Sequence, residues 1–71
     1  MKAAAQRLTL EERNALLNYA WLNQKEFARL LEISSITLST RLGRGEYKDL
    51  YIMVGASRKF NTEKVKSFLK I

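Results

Sequence analysis

Apolar positions recur at helical spacing through the first two thirds of this chain, give way to a short β-prone run, and return to helical spacing at the end. Leu10, Leu16, Leu17 and Ala20 share one side of a helix predicted over Thr9 to Tyr19. Thr9 and Glu12 have the S/T-x-x-E spacing of a capping box, in which each side chain satisfies the other residue's free backbone N–H. Met1 to Gln6 offers no partner for its alanines and is expected to fray. A second cap at Asn23, with Glu26 three residues on, opens a helix carrying Phe27, Leu30 and Leu31 on one face and Lys25, Arg29 and Glu32 outside. Ala28 is small enough to let a neighbouring helix approach closely. Ser34 is a good cap for a third helix holding Ile36, Leu38 and Leu42, which leaves only Glu32 to Ser34 as the turn. Gly43 and Gly45 end that helix.

Leu50 to Val54 is the β-prone run, followed by Gly55-Ala56-Ser57 as a turn and Arg58-Lys59-Phe60 as the return strand of a hairpin. Ile52 and Val54 fall on one face, Tyr51 and Met53 on the other. One face packs inward, with Phe60 as the cross-strand partner, while Ser57, Arg58 and Lys59 sit at an exposed tip. Asn61 caps a last helix, Thr62 to Leu69, with Val65, Phe68 and Leu69 apolar and Lys64, Lys66 and Lys70 outside. Trp21 and Phe27 are the expected core aromatics, and Tyr47 and Tyr51 are expected to be half-buried.

The order is helix, helix, helix, hairpin, helix. Two short helices joined by a tight turn, the second polar on its outer face, have the layout that places an exposed helix in the DNA major groove. A hairpin directly after them is a wing. The predicted fold is therefore mostly α with a β-hairpin wing, a winged helix-turn-helix, and the 71 residues make one domain.

Charge sharpens this picture. Thirteen Lys and Arg against seven Asp and Glu give a net charge of +6. Residues 1–33 carry five bases and four acids, and residues 34–71 carry eight bases and three acids. The excess thus gathers in the half that holds the third helix and the hairpin, as phosphate binding requires. The absence of cysteine removes disulfides and thiolate metal sites, and the absence of histidine removes the commonest general base and metal ligand. Glu46 with Asp49 is the one carboxylate pair near the glycines and reads as a polar loop, so neither an enzyme nor a cofactor is expected. No apolar run approaches a membrane span or a signal-peptide core, and a soluble cytoplasmic protein is the simplest placement.

With Ser34 as the cap, the first two turns of the third helix present Ser35, Ile36, Thr37, Ser39, Thr40 and Arg41, while Leu38 and Leu42 face the core and Thr37 has either side open to it. Short hydroxyls suit base edges or phosphates, Ile36 suits a thymine methyl, and arginine pairs bidentately with guanine. Arg41 and Arg44 are the candidates for that pair, with phosphate the better target for Arg44. Arg58 and Lys59 beside Ser57 would enter the minor groove or clamp its phosphates, and Lys48 is a further phosphate candidate. The competing reading of the hydroxyls is that they serve only to cap the helix start.

Trp21-Leu22-Asn23-Gln24-Lys25-Glu26-Phe27-Ala28, Leu30-Leu31, Ile33-Ser34, Thr37-Leu38, Leu42, Gly45 and Val54-Gly55, with Val65 and Phe68-Leu69 in the closing helix, carry a family resemblance. Over residues 21–70 the chain resembles the winged-helix fold of phage and transposon excisionases, which is similar to the DNA-binding head of the MerR superfamily. The resemblance makes residues 21–71 the family-like core and residues 1–20 an N-terminal extension. It departs from the family at Arg41, where an apolar or aromatic residue is common, and at the tip, which has fewer adjacent basics. It implies a protein that binds repeated sites on double-stranded DNA, bends them and recruits an integrase; one small domain makes few contacts, so cooperative association with further copies is also expected. The same scaffold also serves transcriptional regulators, here dimerising through Thr9 to Tyr19, and protein-interaction modules such as antirepressors or terminase small subunits.

Overall fold

Four side-chain caps set the frame. In the computed structural model, which describes residues 7–71, Thr9, Asn23, Ser34 and Asn61 each accept a hydrogen bond from the backbone N–H three residues on. They start α1 (Leu10–Leu17), α2 (Gln24–Leu31), α3 (Ser35–Gly43) and α4 (Thr62–Leu69). The first two are full capping boxes, completed by Glu12 and Glu26. The fraying expected of Met1 to Gln6 lies outside the described residues.

The helix ends are equally explicit. Beyond α3, Gly45 has φ +87, its N–H donates to the Leu42 carbonyl at 3.0 Å, and the Glu46 N–H donates to the Arg41 carbonyl at 3.1 Å. That pair of bonds is a Schellman motif, and its left-handed position is the reason for a glycine there. Glu32 ends α2 in the same left-handed region, φ 58, and the Ile33 N–H reaches back to the Ala28 carbonyl at 3.1 Å. Its side chain gives a reason for glutamate at that position: Oε2 accepts the Leu8 N–H at 2.7 Å and ties the N-terminal segment to α2.

Three antiparallel strands form the sheet, in the order β1 (Trp21–Leu22), β3 (Ser57–Asn61), β2 (Tyr51–Val54). The hairpin is tighter than the sequence predicts. Val54 pairs with Ser57, so the loop is Gly55-Ala56 alone, and Gly55 at φ +63 supplies the positive φ that two-residue hairpin turns need. Leu50 belongs to a 3-10 turn (Lys48–Leu50) and not to the strand. The inward face holds Tyr51 and Phe60, paired with each other, and Phe60 also pairs with Leu22. The opposite face carries Ile52 and Val54, both exposed.

Buried apolar side chains come from the sheet and from every helix but α1: Phe27, Ala28 and Leu30 on α2, Leu38 and Leu42 on α3, Leu22 and Phe60 on the sheet, Leu50 on the 3-10 turn, and Val65 on α4. Phe27 stacks on Phe60 with ring centroids 4.3 Å apart, and Tyr47 stands edge-on to both Phe27 and Phe68. Among the described residues the result is four helices and a three-stranded antiparallel sheet, an α+β arrangement. Among the described residues no helix is long and apolar enough to cross a membrane.

Three further expectations, all within residues 9–21, fail. Trp21 is 44% exposed, because the two-residue strand turns Leu22 inward and Trp21 outward. The helix predicted to Tyr19 stops at Leu17, where Asn18 caps it and the chain turns toward the sheet. Its apolar stripe is also incomplete: Leu10 is 70% exposed and Ala20 is exposed, leaving half-buried Leu16 and Leu17 to pack on the core.

Polar contacts therefore do much of the work of docking α1. Arg29 donates to Glu12 through Nη2 at 2.8 Å and Nε at 3.2 Å, and to the Arg7 carbonyl at 3.2 Å. The Arg29 hydrogen bond, followed by the Thr9 N–H, holds the Glu12 carboxyl below its ordinary pKa. A carboxylate with a lowered folded-state pKa contributes stability above its unfolded value and loses it as pH falls through the folded value. Thermal melts over an acid pH series are expected to show this loss, and Glu12→Gln is expected to remove that part of the acid dependence.

Candidate nucleic-acid interface

α3 turns Leu38 and Leu42 into the core, which leaves Ser35, Ile36, Thr37, Ser39 and Thr40 exposed on its other side. Ile36, at 81% exposure, is more open than any other large apolar residue described. The hydroxyls are partly engaged within the helix. Thr37 Oγ1 accepts from Ser34 Oγ at 2.9 Å, and Thr40 Oγ1 donates to the Ile36 carbonyl at 3.1 Å. Capping and outward display are thus both present on the same turn.

The two arginines of this region are held. Arg41 is half-buried, and its Nη1 donates to the Tyr47 hydroxyl at 2.9 Å. Tyr47 lies in the left-handed region, φ 64, a conformation costing of order 1–3 kcal/mol for a non-glycine residue. Its contacts with Phe27, Phe68 and Arg41 hold it there. Arg44 pairs with Glu46 at 3.0 Å on the surface, a contact weak enough to exchange for a phosphate.

Arg58 is not at a free tip. Its partner in the ladder is Met53, which shares a face with Tyr51 but is itself exposed, and its guanidinium lies over the Tyr51 ring at 5.3 Å. Arg58 Nη1 donates to Gln24 Oε1 at 3.1 Å, while Nε is buried with no hydrogen-bond partner among the described residues. Lys59 is half-buried opposite Ile52, so of the three expected tip residues Ser57 alone is fully exposed.

Gln24 is the residue that sequence reasoning missed. It is the first residue of α2, and its amide faces two ways: Oε1 receives Arg58, and Nε2 donates to Ser39 Oγ at 3.1 Å. One side chain thereby joins the exposed side of α3 to the hairpin. A polar residue just after an N-cap carries no signal of such a role, because its partners lie 15 and 34 residues away. Beside it opens a groove of about 440 Å³ lined by Asn23, Gln24, Lys25, Ala56, Ser57, Arg58 and Lys59. Lys25, an exposed base from the otherwise near-neutral half of the chain, joins the hairpin bases there.

Lys48 is not part of this cluster. It lines a separate groove with Tyr47, Glu63, Lys64 and Phe68. The structure thus brings Ser39, Gln24, Lys25, Ser57, Arg58 and Lys59 to one side of the molecule, next to the exposed turn of α3. No protein-family model, curated protein or solved structure matches the chain.

Proposed function

We propose that this chain is a sequence-specific double-stranded DNA-binding protein, a winged helix-turn-helix of the excisionase type that works in the cytoplasm on a phage or mobile element. The observation that carries the reading is the Gln24 bridge, which sets a hydroxyl-rich exposed helix beside a basic hairpin at fixed spacing. α3 acts as the recognition helix and the hairpin as the wing. Lys25, Arg44 and Lys59 supply charge to phosphates, which position the protein, while the first turns of α3 meet base edges. Bending the site costs roughly 1–6 kcal/mol. A single small domain offsets that cost by cooperative association with further copies and with an integrase, so isolated-site binding is weak.

The test is a titration of random-sequence duplex and of DNA flanking the protein's own gene at several salt concentrations. Counterion release predicts a log–log slope between about −4 and −5 for roughly five neutralised phosphates, with preference for one fragment. No binding to any duplex at low salt refutes the reading. Head-to-tail sites support the excisionase role, and palindromic half-sites a dimeric transcriptional regulator.

A second reading, a protein-interaction module, is favoured by α1, which buries no residue fully and displays Leu10, and by exposed Trp21, Ile52 and Val54. Tight self-association without DNA in sedimentation would support it.

A further inference from the structure

The α3 sequence, Ser35-Ile36-Thr37-Leu38-Ser39-Thr40-Arg41-Leu42-Gly43, contains no Asn, Gln, Lys, Asp or Glu. Those side chains, with arginine, are the ones whose geometry distinguishes adenine, guanine and cytosine in the major groove. Arg41 is the one charged residue of the helix, and it is half-buried and bonded to the Tyr47 hydroxyl. The Gln24 amide lies outside the helix, accepting from Arg58 and donating to Ser39. Hydroxyls pair with any base, and the Thr40 hydroxyl hydrogen is spent on the Ile36 carbonyl. What remains to discriminate is apolar contact, and the helix offers it at Ile36, exposed on its first turn and flanked by the shorter Ser35 and Thr37. The N-terminal residues of a recognition helix are the ones that reach base edges.

We propose that α3 selects thymine through its methyl group, with Ile36 as the specificity-determining residue, and that no guanine is read by an arginine of this helix. The inference rests on the DNA-binding reading above. Packing a thymine methyl against the isoleucine removes both from water, and one such group is worth about fourfold in affinity.

The experiment enriches a tight duplex from a random library, then resynthesises it with deoxyuridine at each thymidine in turn. Deoxyuridine lacks only the methyl. A second series replaces each guanine by a deazaguanine lacking the ring nitrogen that arginine would contact. In the wild type, deoxyuridine at one or more positions is expected to weaken binding by about fourfold per lost methyl. Ile36→Ala, at an exposed site that leaves the fold intact, is expected to bind the thymidine and deoxyuridine duplexes equally, and Ile36→Val to keep the discrimination. Indifference of the wild type to deoxyuridine overturns the proposal. So does discrimination that survives in Ile36→Ala, or a loss from deazaguanine that is absent in Arg41→Lys. If no duplex binds at all, the DNA-binding reading falls and takes this one with it; binding without methyl sensitivity removes this one alone.

Discussion

Phe60→Ala is expected to lose a large share of the chain's folding stability. Phe60 is fully buried, stacks on Phe27 at 4.3 Å, tilts against Tyr51 at 5.2 Å, and pairs through its backbone with both Leu22 and Tyr51. It is therefore the point at which the sheet's middle strand, α2 and the hairpin meet. Truncating a buried phenylalanine costs about 3–5 kcal/mol, from lost transfer energy plus the cavity left behind. A domain of this length holds in total only about 4–11 kcal/mol, at roughly 0.05–0.15 kcal/mol per residue. The loss is thus a large share of the whole. Urea denaturation followed by circular dichroism measures it, with Trp21→Ala as the contrast, expected to cost far less because its ring is half in water. A Phe60→Ala protein within about 1 kcal/mol of the wild type would mean that the surroundings collapse onto the cavity and that the ring stack does not organise the core.

What the sequence made legible follows from range. The four caps are written in residues three apart, and the Schellman glycine is adjacent to the turn it serves, so Thr9, Asn23, Ser34, Asn61 and Gly45 are readable without a fold. The hairpin is readable for the same reason, since Val54 and Ser57 meet across two residues. β1 was not readable. Two residues have no period, and only pairing with a strand some forty residues later makes Trp21 and Leu22 a strand and sends the tryptophan outward. At the candidate site, exposure of Ser35, Ile36, Ser39 and Thr40 followed from the burial of Leu38 and Leu42, a local matter. The anchoring of Arg58 did not follow from anything local. Its exposure at a hairpin tip is a sound inference from the sequence, yet a cross-strand register that turns it inward, a tyrosine ring and a glutamine on another helix together draw it in.

On the proposed DNA-binding reading, that anchoring sets the expected result for Gln24→Ala: weaker DNA binding, by about tenfold, with an unchanged salt slope. Alanine is a good helix former at the first position of α2, so the helix itself is not at risk. The substitution removes two hydrogen bonds, one to a neutral hydroxyl and one from a guanidinium, worth together about 1–3 kcal/mol at a half-exposed site. Arg58 then loses its one hydrogen bond among the described residues and keeps only the face of Tyr51. α3 and the hairpin remain joined through the core but no longer at their outer edges. DNA must then order them on binding, and that ordering is subtracted from the affinity. No charge has been removed, so the number of counterions released is the same and the log–log slope stays where it was. Lys25→Ala makes the contrast. On the same reading it takes away one phosphate contact, lowers affinity for all sequences alike, and reduces the slope by about one. Ser39→Ala breaks the helix half of the bridge alone, and adding it to Gln24→Ala is expected to cost no further folding stability, because both substitutions remove the same bond. A Gln24→Ala protein that binds as tightly as the wild type would show that the core alone fixes the spacing of helix and hairpin.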